Sequence, residues 1–272
     1  MKDCVLFLVR SSEADVEDLN VSLSLVETNL LAFCSNVDVL IFHEKSFHNL
    51  KHLVRSTVQL KYIEIEFKIP SYSASIREKI PEFFPHPTHG KGPVAWGHPG
   101  FSMGYRHMCR FFSGAMYENS ILHEYDMYLR LDTDSRILSP LGYNIFDWAR
   151  SNSCFYGYIK PAVQVDNPAV VFGLKEHVQE WVSRNRVSTF VDVRSIPSGE
   201  MFYTNFELAK TSWFLQEQYQ DFFHSIDDSC GIYINRWGDA PIKLLGVSLL
   251  MEPSYVKPVS GFVYQHGAVY SV

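Results

Sequence analysis

The chain has 272 residues, 46% hydrophobic and 20% charged, with a net charge of −6. That acidic balance, with no long basic run, argues against a nucleic-acid partner. No stretch approaches 18 consecutive apolar residues, so nothing reads as a membrane span. The five cysteines (Cys4, Cys34, Cys109, Cys154 and Cys230) are scattered and lack C-x-x-C spacing. They imply neither a zinc site nor a disulfide framework, and a reducing compartment fits them best. The composition alone therefore predicts a soluble cytoplasmic protein. Aromatic residues, at 15%, are abundant. They suit a cleft that packs against sugar rings, although a core rich in Phe and Tyr is the commoner reason for such a content.

Taken in chain order, residues 4–9 form a short apolar run of the kind that makes a buried central strand. Ser11, Ser12 and Glu13 can cap a helix over 16–33. A second apolar run covers 37–42, and 62–67 alternates as a third strand. Strand, helix, strand opens an α/β domain with a parallel sheet. Residues 70–104 hold Pro81, Pro85, Pro87, Pro93 and Pro99 with several glycines and histidines, and read as one long loop near a site. Patterning resumes directly afterwards, so the whole of 1–272 reads as one domain. A helix is expected over 105–117, strands over 127–131 and 155–159, and a helix over 177–186. One or two helices are expected over 206–223, and a last one over 240–250.

Chemistry gathers at a few places. Asp132-Thr133-Asp134 follows the apolar run Leu129-Arg130-Leu131. Two carboxylates one residue apart at a strand end can face the same side and hold a hard divalent cation. Such a cation bridges the phosphates of a nucleotide sugar, and the carboxyl end of a strand is where α/β folds bind ligands. An Asp pair is also a common turn former. Arg106 and Arg110 share a helix face and can clamp a diphosphate, or simply form a solvated basic face. Tyr203-Thr204-Asn205-Phe206-Glu207 reads as a helix start whose carboxylate either approaches a sugar or supports the helix end. In Asn235-Arg236-Trp237-Gly238-Asp239, Trp237 offers a stacking face and Asp239 an acceptor for hydroxyls. The bland reading is an aromatic turn before a helix. His266 stands alone near the end of the chain.

The order and wording of these segments resemble glycosyltransferase family 15, the fungal α-1,2-mannosyltransferases. The resemblance runs from Phe7-Leu8-Val9-Arg10-Ser11-Ser12-Glu13 through Ile41-Phe42-His43-Glu44. It is densest at Tyr105-Arg106-His107-Met108-Cys109-Arg110-Phe111, and it returns at Tyr203 to Glu207, at Arg236 to Pro241 and at Tyr264-Gln265-His266. The resemblance implies a GT-A nucleotide-diphospho-sugar transferase fold, a central mainly parallel sheet flanked by helices. It implies Mn2+ (or Mg2+), GDP-mannose as donor, a glycan hydroxyl on an oligosaccharide or glycoprotein as acceptor, and retention of anomeric configuration. By position, Asp132 and Asp134 are metal ligands with His266, and Asp132 also borders the nucleotide. Glu207 and Asp239 are the catalytic carboxylates, and Arg10, Tyr105, Arg106, Arg110 and Trp237 surround the donor. Two departures stand out. The Glu-Pro-Asp of the family is Asp-Thr-Asp here, and the 70–104 stretch differs from the family's. No amino-terminal anchor precedes the first strand in this sequence, which again leads to the expectation of a soluble protein.

Three other readings compete. The same fold can use a UDP-sugar such as UDP-xylose or UDP-galactose, with inversion if Asp239 or Glu207 serves as a general base. A D-x-D after a strand also occurs in metal-dependent phosphohydrolases, although there it follows the first strand. A non-catalytic glycan-binding protein would keep the fold without turnover.

Overall fold

The computed structural model describes residues 2–80, 102–159, 164–166, 168–267 and 269–271. Most of the predicted long loop, residues 81–101, lies outside the described residues. The first strand, β1 (Asp3–Val9), leads into α1 (Glu13–Asn29), β2 (Val37–His43) and β3 (Leu60–Glu64). A short turn α2 (Ala74–Arg77) and the longer α3 (Met103–Ser113) precede β4 (Met127–Leu131) and β5 (Ser135–Ile137). After α4 (Ile145–Ser151) come β6 (Tyr156–Tyr158), β7 (Gln164–Val165), α5 (Leu174–Asn185), β8 (Glu200–Met201) and β9 (Phe206–Lys210). The helices α6 (Thr211–Phe214), α7 (Glu217–Asp228), α8 (Gly231–Ile234) and α9 (Asp239–Leu250) follow, then β10 (Val256–Pro258), β11 (Tyr264–His266) and β12 (Val269–Ser271).

Seven strands form the central sheet in the order β10-β6-β9-β4-β1-β2-β3. Every neighbouring pair is parallel except those of β9, which runs antiparallel to both β4 and β6. Both faces are covered, as parallel strands require. Val5, Phe7, Val39, Ile41 and Leu129 pack with Val16, Leu19, Leu23 and Val26 of α1 on one side. Cys4, Leu6, Leu40 and Phe42 pack with Phe111 and Phe112 of α3 and Ile242 and Leu245 of α9 on the other. The α1 helix starts where its cap predicts: Ser12 Oγ accepts from the Asp15 backbone N–H at 3.2 Å, with Glu13 and Asp15 in the first turn.

One expected element is corrected. The helix expected from residue 206 begins as the strand β9, and helix appears only at Thr211 and again at Glu217. Phe206 and Leu208 pack on the α1 side of the sheet and Ala209 on the other. The alternation of β9, Phe206-Glu207-Leu208, lasts a single period and runs into a helical pattern, which is too little to mark a strand. Glu207 thus sits mid-strand and fully buried, with no helix end to support.

A smaller antiparallel sheet, β12-β11-β5, folds the end of the chain back over β5, and its register sets His266 opposite Ser135. Among the described residues no helix is long and apolar enough to cross a membrane.

Candidate metal and donor site

Asp132 and Asp134 leave the carboxyl end of β4, and the β11–β5 pairing delivers His266 beside them. One ligand atom from each of the three lies within 4.8 Å of the others. His266 Nε2 is 3.0 Å from Asp134 Oδ1 and 3.8 Å from Asp132 Oδ2. The three side chains are 23–44% exposed, so the cluster opens to solvent while standing on rigid elements.

The backbone at the strand end is pinned. The Asp132 N–H donates to Asn205 O at 3.3 Å and to Ser135 Oγ at 3.1 Å. Tyr264 Oη donates to Asn205 Oδ1 at 2.8 Å and lies 2.7 Å from Ser135 Oγ. Tyr203 Oη lies 2.9 Å from His266 Nδ1, which leaves Nε2 to face the two carboxylates. That is how an outer hydrogen bond orients a metal-binding imidazole.

The charges respond to one another. Burial raises the Asp132 carboxyl above the usual range, with Arg130 and His266 opposing the rise. The hydrogen bond from His266 holds Asp134 below the usual range. Burial alone would lower the His266 imidazole, but the Asp134 hydrogen bond and both aspartate charges outweigh it and the net shift is upward. The His266 imidazole and the two carboxylates thus favour opposite charges, so the trio is arranged to gather positive charge between them. The set of two carboxylate oxygens and one imidazole nitrogen fits a hard-to-borderline cation such as Mn2+ better than Ca2+.

Asp239 belongs to the same locality. It opens α9, is 4% exposed, and takes Arg130 Nη1 at 2.6 Å and Thr204 Oγ1 at 3.0 Å on its Oδ2. Arg130 in turn reaches Asp132 Oδ1. Tyr105 lies under the guanidinium of Arg236, 4.5 Å from ring centroid to Cζ, and Arg236 pairs with Asp166 at 3.3 Å. Arg10 stands just past the end of β1, exposed and paired with Asp15.

Several expected donor residues are held by other partners. Arg106 is fully buried and donates to the Tyr233 carbonyl at 2.7 Å. Arg110 forms a two-point ion pair with Asp227 at 2.7 and 2.8 Å. The face these arginines share looks onto α7 and α8, so it is neither a solvated basic face nor turned to the carboxylate cluster. Trp237 is 3% exposed, and its indole N–H donates to Phe172 O at 2.8 Å. Its ring fills the space over Gly231, where an added Cβ would lie 2.2 Å from it. Glu207 accepts hydrogen bonds from Tyr128 and, at 3.1 Å, from Tyr156, and lies 3.4 Å from Lys243 Nζ, with no solvent exposure.

Sequence reasoning missed Arg130, Thr204 and Tyr203. Arg130 had a signal: it is a cation inside the otherwise apolar run Met127-Tyr128-Leu129-Arg130-Leu131, and a charge in a central strand needs a buried partner.

The model of the glycolipid 2-alpha-mannosyltransferase family matches residues 1–272. The chain belongs to that family. The probable mannosyltransferase KTR3 of Saccharomyces cerevisiae is 30% identical over 174 residues, 61% of this chain and 43% of that protein. Glycolipid 2-alpha-mannosyltransferase 1 of Candida albicans is 29% identical over 174 residues, 61% of this chain and 40% of that protein. The chain thus spans less than half the length of these relatives. The core-mannan synthase A of Aspergillus fumigatus, in its Mn/GDP form, superimposes with a TM-score of 0.80 at 19% identity, over 99% of this chain and 76% of that one. The mannosyltransferase Ktr4p of S. cerevisiae with GDP gives 0.78 at 19%, over 99% and 72%. These likenesses establish the GT-A-type fold. The mainly parallel central sheet flanked by helices is as the sequence resemblance implied.

Proposed function

We propose that this domain is a divalent-metal-dependent mannosyltransferase that moves mannose from GDP-mannose to a glycan hydroxyl with retention of configuration. The observation that carries the reading is the convergence of Asp132, Asp134 and His266 at the carboxyl end of β4. Family membership and the Mn/GDP and GDP forms of its structural relatives support the choice of donor and metal. A phosphohydrolase reading has no support in this fold, since Asp132 follows β4 rather than β1.

Asp132, Asp134 and His266 Nε2 would hold the cation, with Tyr203 fixing the imidazole. The cation, when bound, neutralises charge on the leaving diphosphate. Arg10, exposed just past the end of β1, would meet phosphate oxygens from the nucleotide side. Asp239, fixed by Thr204 and Arg130, offers its other oxygen to sugar hydroxyls. Asp239 stays ionised: burial raises its pKa, but the Arg130 charge and hydrogen bond and Thr204 outweigh that and lower it.

Glu207 suits a stabilising role better than a nucleophilic one. Both of its oxygens are engaged, and it is sealed beneath the site. It lies opposite Arg130 in the β4–β9 register, where a fixed negative charge favours positive charge developing above it. Retention then follows from attack on the face the diphosphate leaves, with the leaving phosphate taking the proton.

Thermal melting with GDP, UDP and Mn2+, singly and paired, tests the reading. A ligand that binds only the folded state raises the melting temperature. GDP with Mn2+ should stabilise more than either alone and more than UDP with Mn2+. Hydrolysis of UDP-sugars with none of GDP-mannose would overturn the donor assignment.

A further inference from the structure

We propose that Arg130 is a positioning residue that divides the two oxygens of Asp132, holding one so that the other is presented to the cation. The inference rests on reading Asp132, Asp134 and His266 as a cation site, and goes beyond it by assigning what orients the first ligand.

Arg130 has 2% of its side chain exposed, yet carries a charge in the middle of the sheet. Its guanidinium carbon lies 3.4 Å from the centroid of the Phe112 ring, a contact that limits how the fork can turn. One arm, Nη1, binds Asp239 Oδ2 at 2.6 Å. The other side, Nε and Nη2, reaches Asp132 Oδ1 at 3.4 and 3.2 Å. Asp132 Oδ2 is thereby turned to His266, 3.8 Å away. The two oxygens of one carboxylate thus have separate duties. The same guanidinium ties the end of β4 to the start of α9, so Asp239 and the cluster share one rigid reference. Only a planar fork can serve two carboxylates in this way; an ammonium cannot.

Charge and positioning make opposite predictions, which makes the idea testable. A cation beside a cation site repels by Coulomb's law, so losing it should tighten metal binding. If Arg130 positions Asp132, loosening the guanidinium with its charge kept should weaken binding, a loss that charge repulsion does not produce. Outer groups that orient metal ligands typically affect affinity by about 10–100-fold.

The test is Mn2+ affinity of the intact chain, read from the free-ion electron paramagnetic resonance signal. Wild type, Asp134→Ala, Arg130→Lys and Phe112→Leu are compared, with folding checked by unfolding midpoints. Arg130→Lys keeps the charge and loses the fork. Phe112→Leu loosens the guanidinium while leaving every charge in place, and carries the test if the lysine variant does not fold. Expected are loss of binding in Asp134→Ala, at least about tenfold weaker binding in Arg130→Lys, and a smaller weakening in Phe112→Leu. Wild-type or tighter Mn2+ binding in a folded Arg130→Lys or Phe112→Leu, with Asp134→Ala still inactive in binding, overturns the positioning role alone. Failure of wild type to bind Mn2+ overturns the cation site and this proposal together.

Discussion

Lys243 Nζ lies 3.4 Å from Glu207 Oε1, and neither side chain has any exposure. Lys243 also donates to Tyr117 Oη at 2.6 Å and sits 4.0 Å above the Phe214 ring. Burial pulls its pKa down to about 8, against the opposing pull of Glu207. Removing one member of a buried pair leaves the other uncompensated, at a cost of about 3–5 kcal/mol, whereas removing both is far milder. Lys243→Met should therefore destabilise the domain strongly, and adding Glu207→Gln should restore most of the loss. Urea midpoints for the four proteins close this cycle. Additive losses would mean that the two groups do not act as a pair.

The kinetic counterpart concerns Glu207 alone. Glu207→Gln keeps the shape and one acceptor oxygen, so only one of Tyr128 and Tyr156 can still donate to it, and it removes the charge that faces Lys243; the comparison is made on protein shown to be folded by its urea midpoint. If that charge acts on the transition state, turnover should fall by about 100-fold or more, with GDP affinity nearly unchanged. Weaker GDP binding with turnover at saturation unchanged would show that Glu207 serves binding only. The linkage in the product, read from its NMR coupling constants, should be α; a β product would sink retention and recast Asp239 as a general base.

Tyr203 gives a graded test of the imidazole. Its hydroxyl, 2.9 Å from His266 Nδ1, fixes which nitrogen faces the aspartates. Tyr203→Phe should weaken Mn2+ binding by roughly tenfold, short of the loss expected for Asp134→Ala. Calorimetric titration with Mn2+ would show it. Unchanged affinity would mean that the β11–β5 pairing alone holds the ring.

These cases show what the sequence could and could not disclose. Asp132 and Asp134 were legible because a carboxylate pair directly after an apolar run marks the end of a buried strand. His266 could be joined to them only through the family resemblance, since its place depends on the β11–β5 register, which sets it opposite Ser135 from the far end of the chain. Five strands of the main sheet, β1, β2, β3, β4 and β6, were legible from apolar runs or alternation; the three-residue β10 was too short to read, and β9 was not told from a helix start because Phe206-Glu207-Leu208 alternates for a single period before a helical pattern. Arg106 and Arg110 were rightly placed on one helix face, but spacing cannot say which way that face looks. Here it looks inward, onto Tyr233 and Asp227. Trp237 shows the same limit: an aromatic beside a glycine can stack on a ligand or fill a gap, and here it packs over Gly231.

The last prediction lies at the opposite end of the sheet and concerns stability alone. Asp38 Oδ2, near the start of β2, meets Lys2 Nζ at 2.7 Å, Lys61 Nζ at 2.6 Å and Tyr125 Oη at 2.6 Å. Partial burial works against its charge, but these three partners outweigh it and hold its pKa at about 2 against an ordinary 3.8. A carboxylate depressed in the folded state binds fewer protons there than when unfolded. Its contribution is therefore complete above the unfolded value of 3.8 and is lost as pH falls from there through about 2. Full conversion of that gap would give about 2.5 kcal/mol. Solvent reaches 22% of the side chain, which lowers the expected figure to about 1–2 kcal/mol. Asp38→Asn should thus be less stable than wild type by that amount at pH 7, and the two stability curves should converge as pH approaches 2. Because every other carboxylate titrates in both proteins, the difference curve isolates Asp38. A constant gap between pH 7 and pH 2 would show that Asp38 acts through shape and hydrogen bonding, with no share for its charge. Mn2+ affinity should be the same in both proteins, since β2 begins at the end of the sheet remote from Asp132.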